Sequence, residues 1–151
     1  MTAHDRTTVR AEAMRIGGEK VTTDGVVEVL YPYTDEVVGT VPAGDASHAR
    51  RAFEIAANYT PTLTRYERSQ ILQRAGQLIG ERRDFLAKWL TLELGICQQH
   101  AVYETKRAQD VFQFAAAESL KDDGEIFSCD LTHNGKARKI FTKREPVRAI
   151  S

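Results

Sequence analysis

Several things are scarce in this sequence, and each shortage removes a class of protein. Cysteine occurs twice in 151 residues, as Cys97 and Cys129, far apart and without histidines at metal-ligand spacing. That excludes a disulfide framework and a zinc module, and both thiols read as reduced. A net charge is also missing, since Lys plus Arg and Asp plus Glu total 21 each, so nothing steers the chain as a whole toward nucleic acid or an anionic membrane. No apolar run approaches the ~20 residues needed to span a bilayer, and the first dozen residues lack a signal peptide's apolar core. The expected location is therefore cytoplasmic, where the glycosylation pattern Asn58-Tyr59-Thr60 has no use.

What is present suits one globular domain, with 42% hydrophobic residues and ordinary glycine and proline content. Residues 1–13 lack periodicity and read as a flexible leader. Arg15–Val21 and Val26–Tyr31 are β-rich runs around the polar Thr22–Gly25 connection. Pro32-Tyr33-Thr34-Asp35 then turns the chain into a third strand, Glu36–Val41, closed by Pro42.

From Asp45 the apolar period lengthens to that of a helix. Asp45 is placed to cap it, and Ala46, Ala49, Ala52, Phe53, Ala56 and Ala57 fall on one face, small enough for close packing on a flat neighbour. Thr64-Arg65-Tyr66-Glu67 has capping-box spacing and precedes a stripe of Ile71, Leu72, Ala75, Leu78 and Ile79. A third helix carries Phe85, Leu86, Trp89 and Leu90 and stops at Gly95, and a fourth runs from about Gln99 to Leu120.

The period returns to two in Ile126–Thr132 and Ala137–Thr142, which flank His133-Asn134-Gly135-Lys136; Asn-Gly predicts a hairpin and hence a long ribbon. Lys136, Arg138, Lys139, Lys143, Arg144 and Arg148 lie in or after its second arm and read as a solvated edge that discourages aggregation. Pro146 followed by Val147-Arg148-Ala149-Ile150-Ser151 reads as entry into a strand whose sheet is absent, so the chain is expected to be part of something larger.

These elements and the residues at their joints resemble the N-terminal part of an aldehyde dehydrogenase. The matching residues are Ile16-Gly17-Gly18-Glu19, Pro32 to Gly39, Arg65-Tyr66-Glu67-Arg68 with Ile71-Leu72, Leu92-Glu93-Leu94-Gly95, and Arg144-Glu145-Pro146. Within that superfamily the chain is most similar to the phosphonoacetaldehyde dehydrogenases, on Leu63 to Arg68, Leu92 to Cys97, Asp122 to Thr132 and Gly135 to Phe141. Glu93-Leu94-Gly95-Ile96 stands where most of the superfamily has Glu-Thr-Gly-Lys.

The resemblance implies a partial α/β fold: N-terminal strands, about four helices and a β-hairpin, cut at the start of the cofactor-domain sheet. Residues 14–122 would be the N-terminal part of the NAD(P)-binding domain, 123–145 the oligomerisation hairpin, and 146–151 the truncated first cofactor-domain strand. It implies an NAD(P)-dependent oxidation of an aldehyde to a carboxylic acid, with phosphonoacetaldehyde going to phosphonoacetate in 2-aminoethylphosphonate catabolism, in a homodimer or homotetramer. The full-length enzyme would use NAD or NADP, and this portion alone is expected to bind neither and to be inactive. The nucleophilic cysteine, general base and oxyanion asparagine fall beyond Ser151, so neither Cys97 nor Cys129 is catalytic. A non-catalytic adaptor that pairs with a full-length subunit through the hairpin is the alternative, and a helical binding module on a borrowed scaffold is a third reading.

One residue is a candidate substrate contact. Arg107 lies four residues after Tyr103 and seven before Phe114, so it shares a helix face with two aromatics rather than with the polar residues, and a buried arginine needs an anionic partner. In the resemblance this helix lines the substrate entry, and a guanidinium is a natural bidentate partner for a phosphonate. An internal pair with Glu104 or Asp110, or extension into water, is the competing reading. His4, His48, His100 and His133 read as surface histidines.

Overall fold

The computed structural model of the protein describes residues 9–145 and 147. The first strand among the described residues lies inside the segment read as a leader. Arg10–Ala11 (β1) is a strand, followed by Met14–Ile16 (β2), Glu19–Val21 (β3), Val26–Leu30 (β4) and Val37–Pro42 (β5). β1 pairs in parallel with β5, Arg10 opposite Gly39, and β4 pairs antiparallel with the other side of β5. The leader reading of residues 10–11 is thus corrected, because their support is non-local. The Arg10 guanidinium lies 5.3 Å from the Phe85 ring centre and 5.7 Å from that of Trp89, and the Glu12 N–H donates to the Thr40 carbonyl at 3.0 Å.

The run Arg15–Val21 is not one strand. It folds at Gly17-Gly18, whose φ values of 60° and 86° suit a turn of the kind that joins β2 and β3 with Ile16 opposite Glu19. The next turn is as read: the Tyr31 carbonyl accepts from the N–H groups of Thr34 and Asp35, and the Tyr31 N–H donates to Glu36.

The helices are Ala46–Asn58 (α1), Arg65–Glu81 (α2), Arg83–Leu94 (α3) and Gln98–Glu118 (α4). Asp45 caps α1 by accepting from the Ser47 and His48 N–H groups, and Thr64 and Glu67 cap α2 reciprocally. α4 packs most extensively on α2 and next on α3. The buried residues of these two helices are small: Ser69 and Gly76 on α2 and Ala101, Thr105 and Ala116 on α4. A Cβ on Gly76 would meet the Phe112 Cβ at 3.4 Å, so the two backbones lie close.

α1 departs from its expected packing. It touches β2, yet none of its residues is buried and Phe53 is 48% exposed. The total accessible surface is 12136 Å², whereas a compact monomer of this mass would show about 7,700 Å². No helix among the described residues is long and apolar enough to cross a membrane.

Ile126–Ser128 (β6) and Lys139–Phe141 (β7) form the ribbon, with Ile126 opposite Phe141 and Ser128 opposite Lys139. It is shorter than expected, and Asn134-Gly135 is not its two-residue loop. Such a loop would set Ile126 opposite Lys143; instead the register is shifted by two residues and His133–Gly135 forms a short 3-10 turn. Gly135 is buried so close to the Cys129 carbonyl that no Cβ would fit, which ties the turn inward rather than letting the arms extend. Residues 148–151, and Pro146, on which the strand-entry reading rests, lie outside the described residues.

Candidate substrate groove

Where α3 ends, Gly95 takes up a φ of 70° and its N–H donates to the Thr91 carbonyl at 2.9 Å, a left-handed cap that stops the helix. Only Ile96 and Cys97 separate it from α4, which therefore packs back on α3. Between the end of one helix and the first turns of the next lies an open groove of about 550 Å³, lined by Leu90, Leu94, Ile96, His100, Tyr103 and Glu104. Its floor is apolar and its polar groups come from successive turns of α4.

Arg107 sits one turn beyond this rim. It does share a face with Tyr103 and Phe114, but that face is open: its side chain is 59% exposed and Phe114 is 74% exposed, so the sequence picture of a buried arginine is corrected. Its Nη1 donates to both Glu104 carboxylate oxygens, at 3.0 and 3.1 Å, and its guanidinium carbon lies 6.0 Å from the Tyr103 ring centre. Asp110, the other possible partner, accepts instead from Lys106 at 2.6 Å. The Nε and Nη2 donors of Arg107 have no partner among the described residues.

A smaller cavity of about 200 Å³ lies under Arg10, over Val29, Val41, Leu86 and Trp89. Arg10 also donates through Nε to Glu12 at 2.6 Å. Sequence reasoning missed this clamp, for which the alternation Arg10-Ala11-Glu12 was the only local signal. It missed His48 too: the ring is half-buried and its Nδ1 lies 2.8 Å from the Asp45 carboxylate.

Cys97 is exposed at the start of α4 and Cys129 is half-buried just after β6. Among the described residues no three His, Cys, Asp or Glu side chains gather as a metal site. Where β5 leads into α1, the helix start is closed by the carboxylate of Asp45, held well below its usual value by hydrogen bonds from Ser47 and His48, and it would meet a phosphate with like charge. α2 starts behind the carboxylate of Glu67, also held below its usual value by the Thr64 N–H and hydroxyl.

Residues 20–151 match the aldehyde dehydrogenase family. The chain belongs to that family. Among its relatives, the lactaldehyde dehydrogenase of Methanococcus aeolicus is 28% identical over 89% of this chain and 28% of its own length. The 3-sulfolactaldehyde dehydrogenase of Priestia megaterium is 26% identical over 96% of this chain and 31% of its own. Aldehyde dehydrogenase 21 from Physcomitrella patens, solved with its reaction product succinate, superposes with a TM-score of 0.85 at 26% identity, covering 91% of this chain and 29% of that one. The chain therefore has the α/β aldehyde dehydrogenase fold in part, and spans less than a third of the length of these relatives.

Proposed function

We propose that this chain is the N-terminal portion of an NAD(P)-dependent aldehyde dehydrogenase that oxidises an anion-bearing aldehyde, with phosphonoacetaldehyde, going to phosphonoacetate, as the substrate. The supporting observation is an arginine with free donors one turn beyond the rim of an apolar groove of substrate size, in a chain of this family. The relatives described above are named for other aldehydes; the sulfonate of one and the carboxylate of another's product are anions of the same general kind. The phosphonate itself rests on the stretches Leu63 to Arg68 and Asp122 to Thr132 that resemble the phosphonoacetaldehyde enzymes.

In this division of labour the chain binds and orients. The groove floor of Leu90, Leu94 and Ile96 takes the carbon chain and excludes water, while Arg107 holds the anion through its Nε–Nη2 edge. NAD(P) supplies the hydride acceptor that oxidation of an aldehyde to an acid requires, and the nucleophile and base come from outside this chain. The exposed apolar faces of α1, of α4 around Phe114, and of the ribbon at Ile126 and Phe141 are the surfaces that the rest of such an enzyme, and a second subunit in a homodimer or homotetramer, would cover. The adaptor reading has nothing in its favour beyond the ribbon's open edges, which the enzyme reading uses equally.

The test is steady-state kinetics of the enzyme that carries this segment, followed by NAD(P)H formation. Arg107→Ala is expected to raise KM for phosphonoacetaldehyde about tenfold relative to KM for propionaldehyde, the equivalent of ~1.5 kcal/mol for a hydrogen bond to a charged group. Equal changes for both aldehydes would refute the assignment.

A further inference from the structure

We infer that Glu104 determines how strongly the groove selects for anions, by acting as an internal carboxylate against which the substrate competes for Arg107. The inference rests on the proposed reading of Arg107 as the anion contact. Both oxygens of Glu104 converge on one Arg107 nitrogen, at 3.0 and 3.1 Å, and Glu104 also lines the groove. A substrate that fills the groove and reaches one turn past its rim therefore meets a carboxylate and a guanidinium side by side, with a combined charge of zero.

An anionic aldehyde must share the guanidinium with that carboxylate, whereas a neutral aldehyde makes no demand on it. The arrangement holds back an affinity that the arginine alone would give. Because the pair is exposed, at 59% for Arg107 and 45% for Glu104, water weakens the effect, and the discrimination at stake is about twofold rather than orders of magnitude.

The experiment compares wild type, Glu104→Gln, Arg107→Gln and the double variant in the enzyme that carries this segment, with phosphonoacetaldehyde and propionaldehyde at low and high salt. Glutamine keeps the size and the acceptor but removes the charge. In Glu104→Gln the ratio of the two KM values, anionic over neutral, is expected to fall about twofold at low salt while the ratio of kcat values stays put. That gain should shrink at high salt and vanish in the Arg107→Gln background. If Arg107→Gln raises the KM ratio but Glu104→Gln leaves it unchanged, or lowers it equally in both backgrounds, this inference alone is overturned. If Arg107→Gln leaves the ratio unchanged, the substrate-class reading falls and this inference with it.

Discussion

Gly76 is expected to tolerate a methyl group and to gain from it. The residue lies in the interior of α2, buried where that helix meets α4, and a glycine at a close helix contact is ordinarily read as irreplaceable. Distances argue otherwise. A Cβ built there would find the Phe112 Cβ at 3.4 Å, the Gln109 carbonyl at 3.6 Å and the Gln113 Cγ at 4.0 Å, all ordinary van der Waals contacts. Alanine in a helix interior is worth about 1 kcal/mol over glycine, and the methyl fills space already bounded by neighbours. Gly76→Ala should therefore stabilise by about 1 kcal/mol, which in a domain of this size is about 2–4 °C in Tm. Gly76→Leu should do the reverse by about 1–3 kcal/mol, since the branched side chain must push α4 away. Urea denaturation followed by far-UV circular dichroism gives the sign, and amide exchange in α2 and α4 shows whether the change sits at the seam. A Gly76→Ala variant less stable than wild type would mean that the helices already touch more tightly than these distances allow.

Two further outcomes follow from the same elements. The Ala116 carbonyl, near the C-terminal end of α4, accepts from the Ser69 hydroxyl at 2.9 Å and from the Ser119 hydroxyl at 2.9 Å. Ser69→Ala is expected to cost about 1 kcal/mol, and the double variant with Ser119→Ala more than the sum of the two, because only then is a carbonyl at the seam left without either partner; additive melting shifts would disprove the sharing. The caps of α1 and α2 should be lost in acid. Asp45 and Glu67 are held below their ordinary values of 3.8 and 4.5, Asp45 chiefly by Ser47 and then His48, and Glu67 by the Thr64 N–H and hydroxyl. A depressed carboxylate stabilises the fold above its ordinary value and loses that contribution as the pH falls below it, so helical ellipticity should decline from there downward, less so in the Asp45→Asn, Glu67→Gln variant.

Local chemistry was legible wherever one short stretch decides the outcome. Asp45, Thr64 with Glu67, and Gly95 marked the helix ends because each cap is made by residues within four positions of one another. What was not legible depended on distant partners. Arg10 reads as leader until Phe85 and Trp89 are brought beneath it, and the ribbon's register follows Gly135 and Cys129 rather than the Asn-Gly pair. The same holds for the site: helical spacing placed Arg107 with Tyr103 and Phe114 and left Glu104 and Asp110 as rival partners, and only the side-chain geometry chose Glu104. Burial of that face was misjudged because aromatic residues carry a core signature even where the described chain offers them no cover.

α4 has one more consequence. Its 21 residues span about 30 Å, with His100, Tyr103 and Glu104 in the opening turns and Glu118, which pairs with Lys121 at 2.8 Å and reaches Arg144 beyond the ribbon at 4.0 Å, in the closing one. Between those ends it is clamped by α2 along a seam of small residues that leaves little room to bend. It works as a ruler: the groove residues near one end and Glu118 at the other keep a fixed separation along a single helix, so a surface that docks against Glu118 stands about 20 Å from Glu104.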